Sequence, residues 1–355
     1  MKKGIKIALL SVLGLVIVAG VLVWMEFGAL IKGANSCVKL DDGMYYMEYK
    51  GDDGFKELMD RGGCNDISVL ASYVMEFLSK GYFKPDSINV PIKPVGCSTL
   101  TVKTPEDGVM MARNFDYPYG TALIMHTIPD EGYESITTFS TDFFGFGENY
   151  KPEGFKNQYM ALAGLFMALD GLNEKGLAIA VLDAGDKVVT RQDTSKPDLT
   201  TTTAVQYLLK YAANLDEALA LLKASDMNSD PGSAYHLSMD DATGRCVAVE
   251  YVDNQMVVTE SPFVSNHYLC EEKFLTGLHE GDHRHEKLME QYDAAGGVMN
   301  ADQLTETIAS VTQLPEKCAI VGGTLWTMVM DLSHPSVTYY SLRHFDKPFH
   351  FELRR

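Results

Sequence analysis

KPVGCSTLTVKTPEDGVMMARNFDYP, the stretch from Lys93 to Pro118, places a cysteine directly after a glycine at the start of a strand-like run. Its segments STLTV and GVMMARNF are rich in β-branched and apolar residues and are separated by turn residues, which predicts antiparallel strands. Arg113 and Asp116 lie at the end of the second segment. Cys97 fits two interpretations: a buried structural residue, or a nucleophile with its own electrostatic support.

The nucleophile interpretation requires a base. A cysteine attacks as the thiolate, and with a free pKa of about 8.5 only a small fraction is ionised at neutral pH. Arg113 supplies a positive charge that no proton loss removes, and Asp116 is placed to orient a base. This stretch contains no histidine, which leaves the α-amine that appears if the chain is cut before Cys97. Gly96 favours such a cut, because a residue without Cβ accepts a strained geometry and lets the thiol approach its carbonyl.

The rest of the chain separates strand-like blocks from helical blocks. LFMALDGLNEKGLAIAVLD predicts a hairpin, and its tip GLNEKG is interpreted as structural. Helical spacing is clearest from Thr201 to Ser225, with a break near Asn214, and recurs from Asn300 to Val311. Further strand-like segments are TALIMHTI, SITTFSTDFF, AYHLSMDDATGRCVAVEYV, MVVTESPFVSNHYL, GGTLWTMVMDL and SVTYYSLRH. This segregation predicts an α+β fold built from layers.

The N-terminus carries an apolar run from Ile7 to Met25 behind a basic flank of Lys2, Lys3 and Lys6. Its length matches the roughly 20 residues that a helix needs to span a bilayer. The basic flank should stay in the cytoplasm, which places the remainder of the chain outside. We therefore predict a single-pass, membrane-anchored, extracytoplasmic protein. A cleaved signal peptide followed by secretion is the alternative interpretation.

Composition excludes some classes of partner. The 355 residues include 48 acidic against 30 basic ones, for a net charge of −18, so we expect no nucleic-acid partner. Six widely spaced cysteines fit neither a zinc motif nor a disulfide-dense scaffold, although Cys37 and Cys64 are placed to pair. His279, His283 and His285 are interpreted as solvated loop residues rather than metal ligands. The oligomeric state stays open, a homo-oligomer included.

Several motifs together carry a family resemblance: GCSTL, ARNFDYP, DGLNEKGLAIAVLD, VEY, SNHYL and GTLWTMVMD. In this order they resemble the choloylglycine hydrolase and linear amide C-N hydrolase superfamily, which includes bile salt hydrolases and penicillin V acylases. The resemblance covers nearly everything from Cys97 onward. It implies a four-layer αββα N-terminal-nucleophile hydrolase fold with antiparallel sheets. It also implies a cysteine exposed by autoproteolysis, or by removal of the preceding residues, and no metal or organic cofactor.

The resemblance also implies roles for individual residues. Cys97 resembles the nucleophile whose freed amine is the base, and Arg113 and Asp116 resemble the pair that holds the thiolate and the amine. Asn266 resembles the donor to the tetrahedral oxyanion, a role typically worth about 10²- to 10³-fold in rate. Arg284 resembles the late structural or catalytic arginine of the family.

One position departs from the family pattern. Asp183 stands where bile salt hydrolases carry an asparagine and penicillin V acylases a tyrosine. An acid at this position suits precursor cleavage or a substrate contact. Neither bile salt nor penicillin specificity therefore transfers directly to this sequence.

Three regions follow from these patterns. Residues 1–32 are the anchor or signal segment, residues 33–96 are propeptide-like, and residues 97–355 form the catalytic domain. Within the middle region, residues 33–36 read as a linker, DISVLASYVMEFLSKG predicts a helix, and residues 82–95 form a proline-punctuated connector.

The predicted function is a thiol amidohydrolase that cleaves a linear C–N amide bond in a small-molecule N-acyl compound, after autoproteolysis between Gly96 and Cys97. An acyltransferase with the same acyl-enzyme is one alternative. A non-catalytic surface binding or scaffold module with an inert cysteine is the other. Uncut chains and resistance to thiol alkylation would mark the scaffold, whereas product ratios with an acceptor amine separate the two enzymes.

Overall fold

The computed structural model describes residues 2–85, 95–144, 149–229, 233–278, 282–315 and 322–354. The helices among these residues are α1 (Lys2–Asn35), α2 (Phe55–Asp60), α3 (Ile67–Leu78), α4 (Phe155–Ala161), α5 (Thr201–Tyr211), α6 (Leu215–Lys223), α7 (Arg284–Ala294) and α8 (Ala301–Ala309). The predicted break near Asn214 is confirmed, because the Asn214 side chain accepts the backbone N–H of Glu217 and so begins a new helix.

The described strands form two large sheets and one small pair. They are β1 (Val38–Asp41), β2 (Met44–Gly51), β3 (Gly96–Lys103), β4 (Val109–Tyr117), β5 (Ala122–Pro129), β6 (Ser135–Ser140), β7 (Asp170–Asn173), β8 (Ala178–Asp183), β9 (Asp198–Thr200), β10 (Asp226–Asn228), β11 (Tyr235–Asp240), β12 (Cys246–Val252), β13 (Gln255–Glu260), β14 (Phe263–Val264), β15 (Gly323–Asp331), β16 (Ser336–Ser341) and β17 (Phe349–Glu352).

The nine-stranded sheet has the order β1-β2-β5-β6-β7-β8-β11-β12-β13, and the six-stranded sheet has the order β14-β3-β4-β15-β16-β17. Most neighbouring strands are antiparallel. The parallel pairs are β2 with β5 and β9 with β10. The prediction of antiparallel sheets is therefore wrong for these two pairs. The long connection from β2 through α2, α3 and the β3–β4 hairpin lets β5 return in the same direction as β2.

The two large sheets face each other, and each carries helices on its outer face. In β8, Ala178, Ala180 and Leu182 belong to the core between the sheets. Ile179 and Val181 point the other way and pack with α5 and α6. The alternation follows from the two-residue period of a strand.

The six-stranded sheet shows the same alternation. In β4, Met111 and Phe115 face the core between the sheets, whereas Met110 and Ala112 pack beneath α7 and α8. The order of layers is therefore helix, sheet, sheet, helix. This confirms the layered α+β architecture that the sequence predicts.

The region before Cys97 is built into the same layers. β1 and β2 are the first two strands of the nine-stranded sheet, and β2 pairs with β5 along its whole length. Helix α3 is confirmed, and its residues Ile67, Leu70, Val74 and Leu78 are buried in the largest hydrophobic cluster of the domain, as their helical spacing predicts. Residues 86–94 of the predicted connector lie outside the described residues.

Helix α1 is exposed along its first part. The exposed large apolar side chains of this part are Leu10, Leu13, Leu15, Ile17, Val18, Val21, Leu22, Val23, Trp24 and Met25, which point to every side of the helix. Leu13–Asn35 is the stretch, among the described residues, that is long and apolar enough to cross a membrane. A membrane anchor and a signal sequence both have this composition.

The last turns of α1 are packed on the domain. Leu30 and Ala34 are fully buried, and Gly33 lies so close to Tyr49 and Leu162 that a Cβ would clash. The linker predicted at residues 33–36 is therefore wrong, because the helix runs to Asn35 and its end belongs to the core.

Candidate active site

Strands β3 and β4 bring Cys97 and Arg113 to one face of the six-stranded sheet. Their antiparallel register places Cys97 opposite Phe115 and Thr99 opposite Arg113. Because side chains alternate along a strand, these four residues share the face toward the nine-stranded sheet. Cys97 is a free thiol and is completely buried in the uncut chain. Gly96 is the first residue of β3 and has an extended backbone.

Three groups hold Cys97 from three directions. The Nη2 of Arg113 donates to its Sγ at 3.4 Å. Its backbone N–H donates to Oδ1 of Asn266 at 2.7 Å, and its carbonyl accepts Nη1 of Arg284 at 2.9 Å. The thiol, the nitrogen that would become the α-amine and the carbonyl of one residue are therefore each fixed by a predicted site residue.

Arg113 is held by β7, β8 and β15. Its Nη1 pairs with Oδ2 of Asp170 and donates to the Leu169 carbonyl at 2.9 Å, and its Nη2 donates to the Val181 carbonyl at 2.9 Å. The indole N–H of Trp326 donates to the same Asp170 oxygen at 3.0 Å. A fully buried carboxylate therefore balances the buried guanidinium.

Sequence reasoning missed Asp170, because it interpreted the adjoining GLNEKG as a structural hairpin tip and gave the preceding aspartate no role of its own. The hairpin is confirmed, but Asp170 and Gly171 belong to β7, and the turn begins only after Asn173. A single acid within an apolar strand was the available signal, since a carboxylate in such a position is rarely buried without a partner.

Asp116 reaches Cys97 through Arg284. Its Oδ2 accepts Nη1 of Arg284 at 3.0 Å, and its Oδ1 accepts the Thr324 hydroxyl at 2.5 Å. Asp116 pairs with Gly96 in the β3–β4 ladder and points away from the Arg113 face. The structure therefore brings Asp116 into the network, but not as a direct partner of the Cys97 thiol.

Arg284 is the centre of this network, although it lies 187 residues from Cys97. It is the first residue of α7, and its guanidinium donates two hydrogen bonds, of 2.9 and 2.6 Å, to the Asp282 carboxylate. Its Nη2 also donates to Oδ1 of Asn266 at 2.8 Å. One cation thus fixes the Cys97 carbonyl, the Asp116 carboxylate and the Asn266 amide together.

The side chain of Asn266 contacts the backbone of Asp183. The Asn266 Nδ2 donates to the Asp183 carbonyl at 2.7 Å. The Asp183 carboxylate instead accepts the backbone N–H of Gly185 at 2.7 Å. Because both Arg284 and Cys97 donate to Oδ1 of Asn266, its amide orientation is fixed, with Nδ2 toward β8.

Burial controls the ionisation of these groups in the uncut chain. It raises the pKa of the Cys97 thiol above its ordinary value, and the nearby Arg113 charge opposes that rise. Burial likewise raises the pKa of Asp116, against the attraction of Arg284. The buried thiol of this form is therefore held in its neutral state.

Among the histidines near Arg284, His285 differs from the prediction. His285 lies in α7 rather than in a loop, and its ring stacks edge-on against His267 with centroids 4.5 Å apart. Burial lowers the pKa of His267 to about 4, with help from the His285 charge. His283 is exposed, and His279 lies outside the described residues. Within the part of the chain that the structure describes, no group of three or more His, Cys, Asp or Glu residues is arranged to hold a metal.

The Cys37–Cys64 disulfide that the sequence allowed is not formed. Cys37 is a free, buried thiol, and its Sγ donates to the Pro152 carbonyl at 3.6 Å. Burial raises the pKa of Cys37 to about 11, which keeps it neutral and unreactive. Cys318 lies outside the described residues.

Comparison with known sequences gives a family match from Cys97 to His267. This segment matches the model of the linear amide C-N hydrolases, choloylglycine hydrolase family. Penicillin V acylase of Pectobacterium atrosepticum is 31% identical over 108 residues, which cover 28% of this chain. The alignment spans 29% of that relative's length.

Solved structures share the fold. Penicillin V acylase from Agrobacterium tumefaciens superposes with a TM-score of 0.51 at 19% identity, covering 72% of this chain and 86% of its own. A mutant of the conjugated bile acid hydrolase from Clostridium perfringens gives a TM-score of 0.54 at 15% identity, covering 72% and 92%. The layered arrangement described above is therefore the fold of these two solved structures.

Proposed function

We propose that this chain is a thiol amidohydrolase acting on a small N-acyl compound, since residues 97–267 match the model of the linear amide C-N hydrolases, choloylglycine hydrolase family. The observation that carries the proposal is the setting of Cys97, whose Sγ, N–H and carbonyl are held by Arg113, Asn266 and Arg284. A buried structural cysteine has no need of a cation at its sulfur.

Activation is a cut between Gly96 and Cys97. The Cys97 sulfur attacks the Gly96 carbonyl carbon, the S–C bond forms, and the C–N bond breaks with a proton passing to the new amine. Water then hydrolyses the thioester, which frees the thiol and leaves a carboxylate on Gly96. The absence of a Cβ on Gly96 gives the thiol access to that carbonyl. The family match, which starts at Cys97, supports this position for the mature N-terminus.

The cut changes the ionisation of the site. We expect the cut to free Gly96 from Cys97 and so to reduce the burial that raises the pKa of the Cys97 thiol, while Arg113 stays beside the sulfur. The new α-amine keeps the Asn266 oxygen as its acceptor and titrates near neutral pH, which suits a general base. The cut thus supplies both a more acidic thiol and its proton acceptor.

Amide cleavage then follows two steps. The thiolate attacks the substrate carbonyl carbon, and the α-amine passes its proton to the departing amine. Water hydrolyses the resulting thioester, releasing the acid and restoring the thiol. Asn266 donates one Nδ2 hydrogen to the Asp183 carbonyl and has a second hydrogen for the oxyanion. Arg284 is a positioning residue in this scheme, because it fixes the Asn266 amide.

The substrate class follows from the relatives. Two of the matched proteins are named for the compounds they act on, penicillin V and conjugated bile acid. We extend to this chain only their shared feature, a linear amide that joins an acyl group to an amine, with bile-salt-, penicillin V- and fatty-acid-amide-like compounds as the candidates. Asp183 contributes its backbone carbonyl to the site, which favours a positioning role for β8.

The proposed location is the outer surface of a membrane, with α1 as its anchor. The signal-peptide alternative would remove a helix whose end is part of the core, since Leu30 and Ala34 are completely buried. Loss of these contacts would expose the β2 face that they cover. Retention of α1 is therefore the arrangement that the packing supports.

N-terminal sequencing and intact-mass analysis of the full chain test the proposal. The wild-type protein should yield a chain that begins at Cys97 and should cleave at least one member of an N-acyl amide panel. Cys97→Ala should stay uncut and inactive. Cys246→Ser, which alters another free cysteine away from the site, should be cut and active like wild type.

An active wild-type preparation in which Cys97 remains inside an unbroken chain would overturn the mechanism. Adding an acceptor amine distinguishes the acyltransferase alternative, because the acyl group would then appear on the acceptor rather than as the free acid. Absence of both cutting and turnover across the panel would favour the scaffold alternative.

A further inference from the structure

Large aromatic side chains surround the domain end of α1. We call this group the aromatic collar, and its members are Trp24, Phe27, Tyr82, Phe83 and Phe155. Tyr82 is 78% exposed, Phe83 55%, and both Trp24 and Phe155 50%. A concentration of exposed aromatic side chains at one end of a domain is uncommon on a surface that faces only water, and it usually marks an interaction site.

The collar is assembled from three separate elements. Tyr82, just after α3, stacks on Phe27 of α1 with ring centroids 6.3 Å apart, and its hydroxyl donates to Glu26. Phe155 begins α4, which packs against α1. The hydroxyl of Tyr159, also in α4, donates to the Leu78 carbonyl at the end of α3. The three elements therefore meet at one end of the domain, where α1 leaves it.

Basic side chains accompany the collar. The Lys32 ammonium lies over the Trp24 ring at 5.4 Å, and Lys80 lies over the Phe77 ring at 4.6 Å. Lys156 is exposed beside Phe155, and Lys84 is exposed beside Phe83, where its ammonium also pairs with Glu76 at 2.9 Å. This concentration of lysine is notable in a chain with a net charge of −18. Aromatic rings combined with lysine are the side chains typical of the boundary between lipid and water.

The exposed part of α1 indicates what lies on the other side of the collar. The consecutive residues Val21, Leu22 and Val23 are each more than half exposed, so the helix is apolar all round rather than along one stripe. A partner groove would cover one face only, whereas lipid covers all of them.

We propose that the aromatic collar lies in the headgroup region of the bilayer that α1 spans, so that the domain rests directly on the membrane. This inference depends on the anchor role proposed above. No flexible linker separates the two parts, because only about 8 Å of helix joins exposed Met25 to buried Leu30. The lysines fit an anionic lipid surface. The domain therefore has one fixed orientation toward the lipid.

Fluorescence quenching in vesicles tests the position of the collar. The full chain is reconstituted into phosphatidylcholine and phosphatidylglycerol vesicles that contain lipids brominated either near the ester or near the chain terminus. The double variant Trp24→Phe with Phe83→Trp reports on the collar, and Trp24→Phe alone gives the background of buried Trp326. Wild-type Trp24 reports separately on insertion of α1.

The matched control is Trp24→Phe with Val258→Trp. Val258 is an exposed apolar residue of β13, at the edge of the nine-stranded sheet opposite β1 and β2. We expect the tryptophan at position 83 to be quenched several-fold more strongly than the one at position 258, and more by the shallow than by the deep bromines.

Each outcome decides the proposal. Quenching of both Trp24 and position 83 supports it. Quenching of Trp24 with position 83 behaving like position 258 overturns the collar and leaves the anchor intact. Absence of quenching at Trp24 overturns the anchor and the collar together, but leaves the amidase proposal, whose test is the Cys97 cut, untouched.

Discussion

At Arg113, a guanidinium without access to water contacts one carboxylate, two backbone carbonyls and the Cys97 sulfur. Its Nε and the Oδ1 of Asp170 are buried without a hydrogen-bond partner. An unpaired buried group of this kind costs about 1–3 kcal/mol. Cys97 and Asp170 therefore share one cation, and the negative charge of Asp170 limits how strongly Arg113 stabilises the thiolate.

The first prediction concerns Asp170→Asn. The amide keeps an oxygen for Trp326 and Arg113 but removes the charge that balances Arg113. We expect the free energy of unfolding to fall by about 3–5 kcal/mol, as when a buried ion pair loses one partner. In protein that folds, the pKa of the Cys97 thiol should decrease, since the Arg113 charge then acts mainly on sulfur.

The pH dependence of alkylation measures this effect. Iodoacetamide labelling of the Cys97 peptide in cut protein, followed by mass spectrometry, should reach half its maximum at lower pH in the variant. Trp326→Phe removes a donor to the same carboxylate without changing its charge, so its midpoint should stay near the wild-type value. An unchanged midpoint in folded Asp170→Asn would show that the charge of Asp170 does not reach the thiol.

At the scale of elements, β2 lies inside the nine-stranded sheet between β1 and β5. Its side chains Met44, Tyr45, Met47 and Tyr49 are buried, and α1 and α3 cover the same part of the core. The sequence predicts that residues 33–96 are propeptide-like. Because removal of β1 and β2 would strip one end of the nine-stranded sheet and expose its apolar face, we expect this region to be retained as a subunit.

The second prediction is that the two pieces stay together after the cut. On size-exclusion chromatography of cut protein, the N-terminal piece should elute with the piece that begins at Cys97, and should separate only in denaturant. Met47→Lys places an unpaired charge in the core and should release the piece or prevent folding. Lys50→Ala, an exposed change in the same strand, should have no effect. Separation without denaturant in the wild type would identify a removable propeptide.

For the molecule as a whole, Asp240 in β11 links pH to stability. It is completely buried, and burial raises its pKa to about 7, against hydrogen bonds from Thr101 and Ser238. An unfolded aspartate has a pKa of about 3.9. Between these values the folded chain holds a proton that the unfolded chain has lost. The contribution of Asp240 to stability is therefore full below about pH 4 and is lost as the pH rises to about 7.

The third prediction follows from this loss of stability with rising pH. Asp240→Asn should raise the melting temperature at pH 8, where wild-type Asp240 is a buried charge, and should change it little at pH 4. The corresponding increase in the free energy of unfolding at pH 8 is on the order of a few kcal/mol. Asp216→Asn, at an exposed position of α6, serves as control. Melting curves across this pH range measure the effect, and an equal shift at both pH values would contradict it.

Local patterns were sufficient for most elements. The strand-like segments after Cys97 form β3, β4, β5 and β6. Their signals, the alternation of side chains and the β-branched residues, depend only on positions close together in the sequence. The pattern failed for α7, whose buried side chains are mainly Arg284 and Leu288, too few to give a helical period. It also failed at residues 33–36, where glycine and serine suggested a linker but the packing against Tyr49 keeps the chain helical.

The sequence predicted which residues would come together at the candidate site better than it predicted the contacts between them. Cys97, Arg113, Asp116, Asn266 and Arg284 meet in one hydrogen-bonded network. The family motifs indicated these residues, whereas Asp183 enters through its carbonyl rather than its acid. Asp170, Trp326 and Asp282 could not be foreseen as their partners, because each contact depends on which strands and helices become neighbours.

The sequence alone determined the apolar helix, the strand alternation, the family pattern and the cysteine that follows Gly96. These features depend on residues close together in the chain, where helix and strand periods fix the side-chain directions. Only the tertiary structure decided that Asp170 balances Arg113, that Arg284 joins Cys97 to Asn266, and that α1 continues into the core. The physical reason is register: a shift of one residue in β3 or β4 would turn every side chain to the opposite face, and nothing local reveals which register the sheet adopts.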